Sequence, residues 1–111
     1  MNVFYSEEEI IQSVGRLTRR RLTTFVRAEY VRPAASAIGA RFSQTDLARI
    51  ELICDLCDDF ELDDDAVGLV LSLVDQLHSA RAELRTLADA VARQPVEVQT
   101  QILSLVSKAD G

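Results

Sequence analysis

The predicted fold depends on the stretch Arg41-Phe42-Ser43-Gln44-Thr45-Asp46-Leu47, residues 41–47, where the chain changes from strand to helix. The segment before Ser43 is short and rich in small residues, with Gly39 as a turn residue, which predicts a two-stranded hairpin or wing over residues 34–42. Ser43 can cap a helix, with Asp46 three residues later. One face of that helix is predicted to carry Leu47, Ile50, Ile53, Cys54, Cys57 and Phe60.

Upstream, two short helices are predicted. Ser6 and Glu9 form a capping box for the first, and Gly15 is expected to end it after a stripe of Ile10, Ile11, Val14 and Leu17. Thr18 can cap the second, which carries arginines on one side and Leu22, Phe25, Val26 and Tyr30 on the other. Two short helices joined by a tight turn containing glycine predict a helix-turn-helix.

Downstream, a long helix is predicted from about Asp64 to Ala92, with the acidic run 63–65 as its cap and first turn. Its apolar stripe repeats at heptad spacing, which predicts a homodimer. The predicted dimer residues are Val67, Val70, Val74, Leu77, Leu84 and Val91, with Arg81 and Ala88 on the same stripe. Pro95 suits the first turn of a fifth helix with Val98, Ile102, Leu105 and Val106 on one face.

The fold class predicted from these elements is mainly α. A winged helix-turn-helix head with a small β wing occupies residues 1–62. A long helix and a short C-terminal helix follow at residues 63–111, packed with the head as one compact unit.

Charge is distributed unevenly along the chain. Residues 1–49 hold eight basic and five acidic residues, a net of +3, while residues 50–111 hold four basic and thirteen acidic residues, a net of −9. The two values sum to the formal net charge of −6. A basic head on an acidic body predicts two surfaces with different partners.

Two clusters are candidate binding surfaces. The acidic corner lies at the junction of the third and fourth helices and consists of Asp55, Asp58, Asp59, Glu61, Asp63, Asp64 and Asp65. These are more acidic residues than helix capping needs, so the acidic corner is predicted to bind a basic partner. The basic head suits phosphate contacts and is the alternative, nucleic-acid-binding site; it consists of Arg16, Arg19, Arg20, Arg21 and Arg41, with Arg27 and Arg32.

The sequence does not predict an enzyme. The phosphate-binding, dinucleotide-binding and zinc-protease motifs are absent. Cys54 and Cys57 lie inside a helical stripe and are predicted core residues, and His78 lacks a nucleophile at a recognisable spacing. We therefore expect no catalytic residue, metal or cofactor. With no apolar run long enough to span a membrane and no basic start with an apolar signal core, a soluble, cytoplasmic protein is expected.

The order of elements resembles the head of the MerR family over about residues 4–92. In that family an Arg, an aromatic residue, a capping residue and an Asp-Leu pair join the wing to the third helix, as at Arg41, Phe42, Ser43, Asp46 and Leu47. MerR regulators carry Arg-Tyr-Tyr after the recognition-helix leucine, whereas Leu22 here is followed by residues 23–25, Thr-Thr-Phe. The family's glycine before the closing apolar pair is Glu29.

A closer resemblance is to the chaperone-modulator branch of this superfamily, the CbpM type. It is carried by residues 22–26 (LTTFV) and 30–33 (YVRP), and more strongly by 56–63 (LCDDFELD) and 66–77 (AVGLVLSLVDQL). Members of this branch bind the J-domain of the DnaJ-like co-chaperone CbpA. The resemblance therefore implies a modulator that binds a J-domain and inhibits or regulates the co-chaperone.

Two functional hypotheses remain open at this point. The first is a J-domain-binding modulator that uses the acidic corner, and the second is a MerR-type DNA-binding transcriptional regulator that uses the basic head. A structural dimer with no regulatory role is a third, simpler reading. The departure of residues 23–25 from the DNA-binding pattern favours the first hypothesis.

Overall fold

The computed structural model describes residues 3–110 and is mainly helical, with a small antiparallel sheet. The elements in chain order are β1 (Phe4–Tyr5), α1 (Glu7–Ser13), α2 (Arg19–Arg27), β2 (Ala34–Ser36), β3 (Gly39–Ser43), α3 (Gln44–Asp58), α4 (Asp64–Ala92) and α5 (Val96–Asp110). The chain divides into two compact units, the first ending at Leu71 and the second beginning at Ser72.

Side-chain caps start the first three helices where the sequence places them. Ser6 Oγ accepts from the Glu9 backbone N–H at 3.1 Å, and Glu9 reaches back to the Ser6 N–H at 2.9 Å. Ser43 and Asp46 make the same reciprocal pair at the start of α3. Thr18 caps α2 by accepting from the Arg21 N–H. These contacts satisfy N–H groups that no intrahelical carbonyl can reach, and they confirm the predicted caps.

α2 ends in a Schellman motif. The Tyr30 N–H donates to the Phe25 carbonyl and the Glu29 N–H donates to the Val26 carbonyl, both at 3.0 Å. This arrangement puts the residue after the C-cap into the left-handed region, and Glu29 has φ 61°. Glycine is the usual residue there because a Cβ is unfavourable at positive φ.

The predicted hairpin is confirmed. β2 and β3 pair antiparallel with Ala34 opposite Arg41 and Ser36 opposite Gly39, which leaves a two-residue connection at residues 37–38. Gly39 has φ 119°, a conformation that side chains with a Cβ rarely adopt. β1, which was not predicted, pairs with the other edge of β3 and extends the hairpin to a three-stranded sheet in the order β1-β3-β2.

The core of the first unit lies among α1, α2, β3, α3 and the first two turns of α4. Its fully buried side chains are Ile10, Val31, Phe42, Ile50, Ile53, Cys54 and Val67. Leu71 also belongs to this core. Because α4 contributes Val67 and Leu71 to the head, the first unit extends past the boundary at residue 62 that the sequence suggested.

The prediction for Phe60 is wrong. α3 ends at Asp58, and Phe60 lies beyond it with 68% of its surface exposed, whereas the helical stripe would have buried it. The chain leaves the helix through Glu61, which has φ 53°, and the Leu62 N–H then donates to the Leu56 carbonyl. This turn removes Phe60 from the apolar face of α3.

α4 has the bounds predicted for it, Asp64 to Ala92, and Asp63 caps it by accepting from the Ala66 N–H at 2.9 Å. α5 begins at Val96, directly after Pro95, whose carbonyl accepts from the Gln99 N–H. Within residues 3–110, no helix is both long enough and apolar enough to cross a membrane.

Candidate protein-binding surface

The acidic corner is divided into two halves by its contacts. The inner half, Asp55, Asp58 and Asp59, faces arginines from the turn between α1 and α2 and from α2 itself. Arg16 donates to Asp55 and, at 3.4 Å, to Asp59. Arg21 donates to both carboxylate oxygens of Asp58, at 2.9 and 3.1 Å. These three acids are therefore substantially neutralised within the chain.

The pairing of Arg21 with Asp58 has the bidentate geometry that makes a guanidinium–carboxylate contact strong. The hydrogen bonds from Arg21 hold the pKa of Asp58 below its ordinary value. Arg21 also lies over the ring of Phe25, 5.9 Å from its centroid. Asp58 thus fixes the end of α3 against α2, and its role is first of all structural.

Asp58 makes the stability of the first unit sensitive to acid. Because its folded-state pKa is lowered, its contribution is present at neutral pH and disappears as pH falls through that lowered pKa. Asp58→Asn should therefore be less stable than the parent at pH 7, and the difference should shrink as pH falls through the lowered pKa of Asp58, where the folded-state carboxyl also becomes protonated. Urea unfolding followed by circular dichroism at several pH values checks this, and a difference that persists at the lowest pH would contradict it.

The basic head is largely engaged as well. Arg19 donates to Glu7 at 2.6 Å, and Arg41 lies over the ring of Phe4, 4.5 Å from its centroid. Of the five residues of the nucleic-acid hypothesis, Arg16, Arg19 and Arg21 hold carboxylates. Arg20, with Arg27 and Arg32, has no carboxylate partner in the part of the chain that the structure describes.

The outer half of the acidic corner is formed by Glu61, Asp63, Asp64 and Asp65, and none of these carboxylates meets a cation among residues 3–110. All four residues are exposed. The Asp64 carbonyl accepts from the Tyr30 hydroxyl at 2.9 Å, which ties the start of α4 to the end of α2. Beside these acids stands the exposed ring of Phe60. An exposed aromatic side chain next to unneutralised acids was not predicted from the sequence, because Phe60 was placed on the apolar face of the third helix.

The apolar stripe of α4 that was predicted to form the dimer is not the series of residues that is exposed. Val67 is fully buried in the head, so it cannot contact a second copy, and Val70 and Val74 are half-buried. A second series of apolar residues on α4, spaced alternately four and three residues apart, consists of Leu73, Leu77, Ala80, Leu84, Leu87 and Val91. All of these side chains are exposed except Val91, which is half-buried. This series does not include Arg81. Leu77, Leu84 and Val91 are common to both series. The signal was present in the sequence, since this register is wholly apolar.

The remaining candidate groups do not form a site. Cys54 is buried, and burial raises the pKa of its thiol, so it stays protonated and behaves as a small apolar residue. Cys57 is half-buried against the same core, as predicted for both cysteines. His78 is exposed on α4. Among the described residues no three His, Cys, Asp or Glu side chains converge as metal ligands.

Comparison of the chain with models of known families, with curated proteins and with solved structures finds no match.

Proposed function

We propose that this chain is a non-enzymatic modulator that binds the J-domain of a DnaJ-like, CbpA-type co-chaperone and restrains its activity. The observation that carries the proposal is the outer half of the acidic corner: Glu61 and residues 63–65, without a basic partner among the described residues, beside the exposed ring of Phe60. J-domains present a basic second helix to Hsp70. An acidic surface on a small protein would attract that basic helix, so the small protein would compete with Hsp70 for the J-domain.

We also propose that the first unit is a winged helix-turn-helix. We assign α1 and α2 to the helix-turn-helix, the β2–β3 hairpin to the wing, and α3 to the helix that follows it, in the MerR-like order that the resemblance implies. In this assignment α2 corresponds to the recognition helix. The acidic corner lies at the far end of α3, where it leads into α4.

The contacts of the basic head favour a protein partner over DNA. A phosphate approaching Arg16 or Arg21 would have to displace a carboxylate that each arginine already holds, and Asp55 and Asp58 would repel it. Arg20, Arg27 and Arg32 hold no carboxylate among the described residues, but three such cations are few for a specific DNA complex. DNA binding is therefore the weaker alternative.

The proposal also includes a homodimer through α4, with the seam at Leu73, Leu77, Ala80, Leu84, Leu87 and Val91. A row of exposed leucines at heptad spacing leaves apolar surface in water, and a second copy of the same helix would cover it by knobs-into-holes packing. In this register Arg81 and Glu83 flank the seam instead of interrupting it. Charged flanking positions are typical of coiled coils.

Glu61 gives a test that separates binding from folding. Its φ of 53° disfavours a side chain, so Glu61→Gly should raise the free energy of unfolding by about 0.5–1 kcal/mol. The same change removes one acid from the outer half and should weaken J-domain binding by about threefold to fivefold. Chemical denaturation and calorimetric titration measure the two effects.

Glu29→Gly is the matched control, because Glu29 has the same conformation at the end of α2, away from the outer acids in sequence. It should raise stability by a similar amount and leave J-domain affinity unchanged. Equal affinities of the two glycine variants would count against the outer half as the binding surface.

A further inference from the structure

An apolar groove lies between α2 and the β2–β3 hairpin of the first unit. Leu22 and Val26 of α2 line one side, and Pro33, Ala40 and Phe42 line the other. Leu22 and Phe42 belong to the core, so a side chain placed in the groove would extend the packing of the core directly. The groove therefore suits a single apolar side chain.

The rim of the groove is positively charged. Glu7 and Arg27 both lie at its edge, but Arg19 holds the Glu7 carboxylate whereas Arg27 has no carboxylate partner within residues 3–110. Arg20 is exposed on the same side of α2, two helical turns from Arg27, about 10 Å along the axis, and it too has no carboxylate partner among the described residues. The surface thus fits an apolar anchor with two carboxylates next to it that can face Arg27 and Arg20.

The chain itself contains such a segment. Residues 58–63 read Asp-Asp-Phe-Glu-Leu-Asp, and the Phe60 ring is 68% exposed. The carboxylates of Glu61 and Asp63 have no cation near them in the described part of the chain. The segment thus offers the complementary apolar anchor and the complementary charge.

We propose that Phe60 of one copy inserts into the α2–hairpin groove of another copy, with Glu61 and Asp63 facing Arg27 and Arg20. Phe60 is exposed in its own chain, so the contact requires a second molecule. The contact is heterologous, because the anchor and the groove are different surfaces. Each copy can therefore bind a further copy, whereas a two-fold interface is closed once two copies have associated. Combined with a dimer through α4, it produces species larger than a dimer.

This inference does not depend on J-domain binding, since the groove and the segment belong to the same chain. If the J-domain proposal also holds, the two contacts exclude each other, because both use Phe60 and Glu61. A J-domain would then dissolve the larger species.

Sedimentation equilibrium on the full chain tests the inference, using Phe60→Ser, which lacks the anchor, and Arg27→Glu, which reverses the rim charge. The mass of the parent protein should rise with concentration beyond a dimer. Each variant alone should lose this rise, with the contact weakened at least tenfold. An equimolar mixture should restore it, because Phe60→Ser still supplies a groove and Arg27→Glu still supplies an anchor.

Arg93→Glu, an exposed site in the second unit with the same change of charge, is the matched control and should behave as the parent does. Far-ultraviolet circular dichroism verifies that each variant is folded. A parent mass that stays constant with concentration would overturn the inference, and so would a mixture that fails to restore the larger species.

Discussion

Leu84→Asp is expected to abolish dimerisation through α4. Leu84 is 64% exposed and lies at the middle of the proposed α4 seam, between Leu77 and Val91. Burying one unpaired carboxylate at a packed interface costs about 3–5 kcal/mol, and the symmetric dimer would bury two. The dimer dissociation constant should therefore rise by at least about a thousandfold. Sedimentation equilibrium measures it.

Two alanines on α4 provide the matched pair for this prediction. Ala80 lies in the seam and Ala82, two residues on, lies on the other side of the helix; both are exposed in the single chain. Ala80→Asp should weaken the dimer strongly, whereas Ala82→Asp should leave its mass unchanged. If both variants were equally dimeric, the seam would be misplaced, and a monomeric parent at tens of micromolar would refute the dimer altogether.

The largest expected effect on function is that of Glu61→Gln combined with Asp64→Asn and Asp65→Asn. These three changes remove carboxylates that have no cation partner among the described residues, so the fold should be retained. Asp63 is left in place because its side chain caps α4. Losing three facing charges should weaken J-domain binding by about 2 kcal/mol, roughly thirtyfold.

A control with the same change of net charge replaces Glu8, Glu29 and Glu51 with glutamine. These acids are exposed but lie outside the acidic corner. At the same ionic strength, their replacement should leave J-domain affinity within about twofold of that of the parent. Replacing Asp58 would be a poor test, since it releases Arg21 and loosens α3 from α2.

Local signals in the sequence account for most of the secondary structure. Ser6, Thr18 and Ser43 each sit three residues before the N–H they accept from, and Asp63 has the same relation to Ala66, so the helix starts could be placed closely. Gly39 and the small residues before it likewise identified the hairpin. β1 escaped because two residues are too few to show an alternating pattern.

Tertiary contacts were harder to foresee. The acids and arginines were read as two separate patches, but the fold brings Arg16 and Arg21 against Asp55 and Asp58, almost forty residues away in the chain. Nothing in the local sequence encodes that approach. Phe60 was misplaced because helical periodicity does not show where a helix ends. Val67 was misplaced because the same periodicity does not distinguish a helix face that packs on the core of its own chain from a face that is exposed.

Calorimetric titration of residues 1–111 with a J-domain, repeated at increasing salt, is the decisive measurement for binding through the outer half of the acidic corner. We expect a saturable complex whose affinity falls as salt rises and which the Glu61, Asp64 and Asp65 triple variant forms about thirtyfold less tightly. Absence of J-domain binding, or a triple variant that binds as tightly as the parent, would contradict the proposed function. A salt-sensitive, sequence-specific complex with duplex DNA in place of J-domain binding would establish the transcription-regulator alternative.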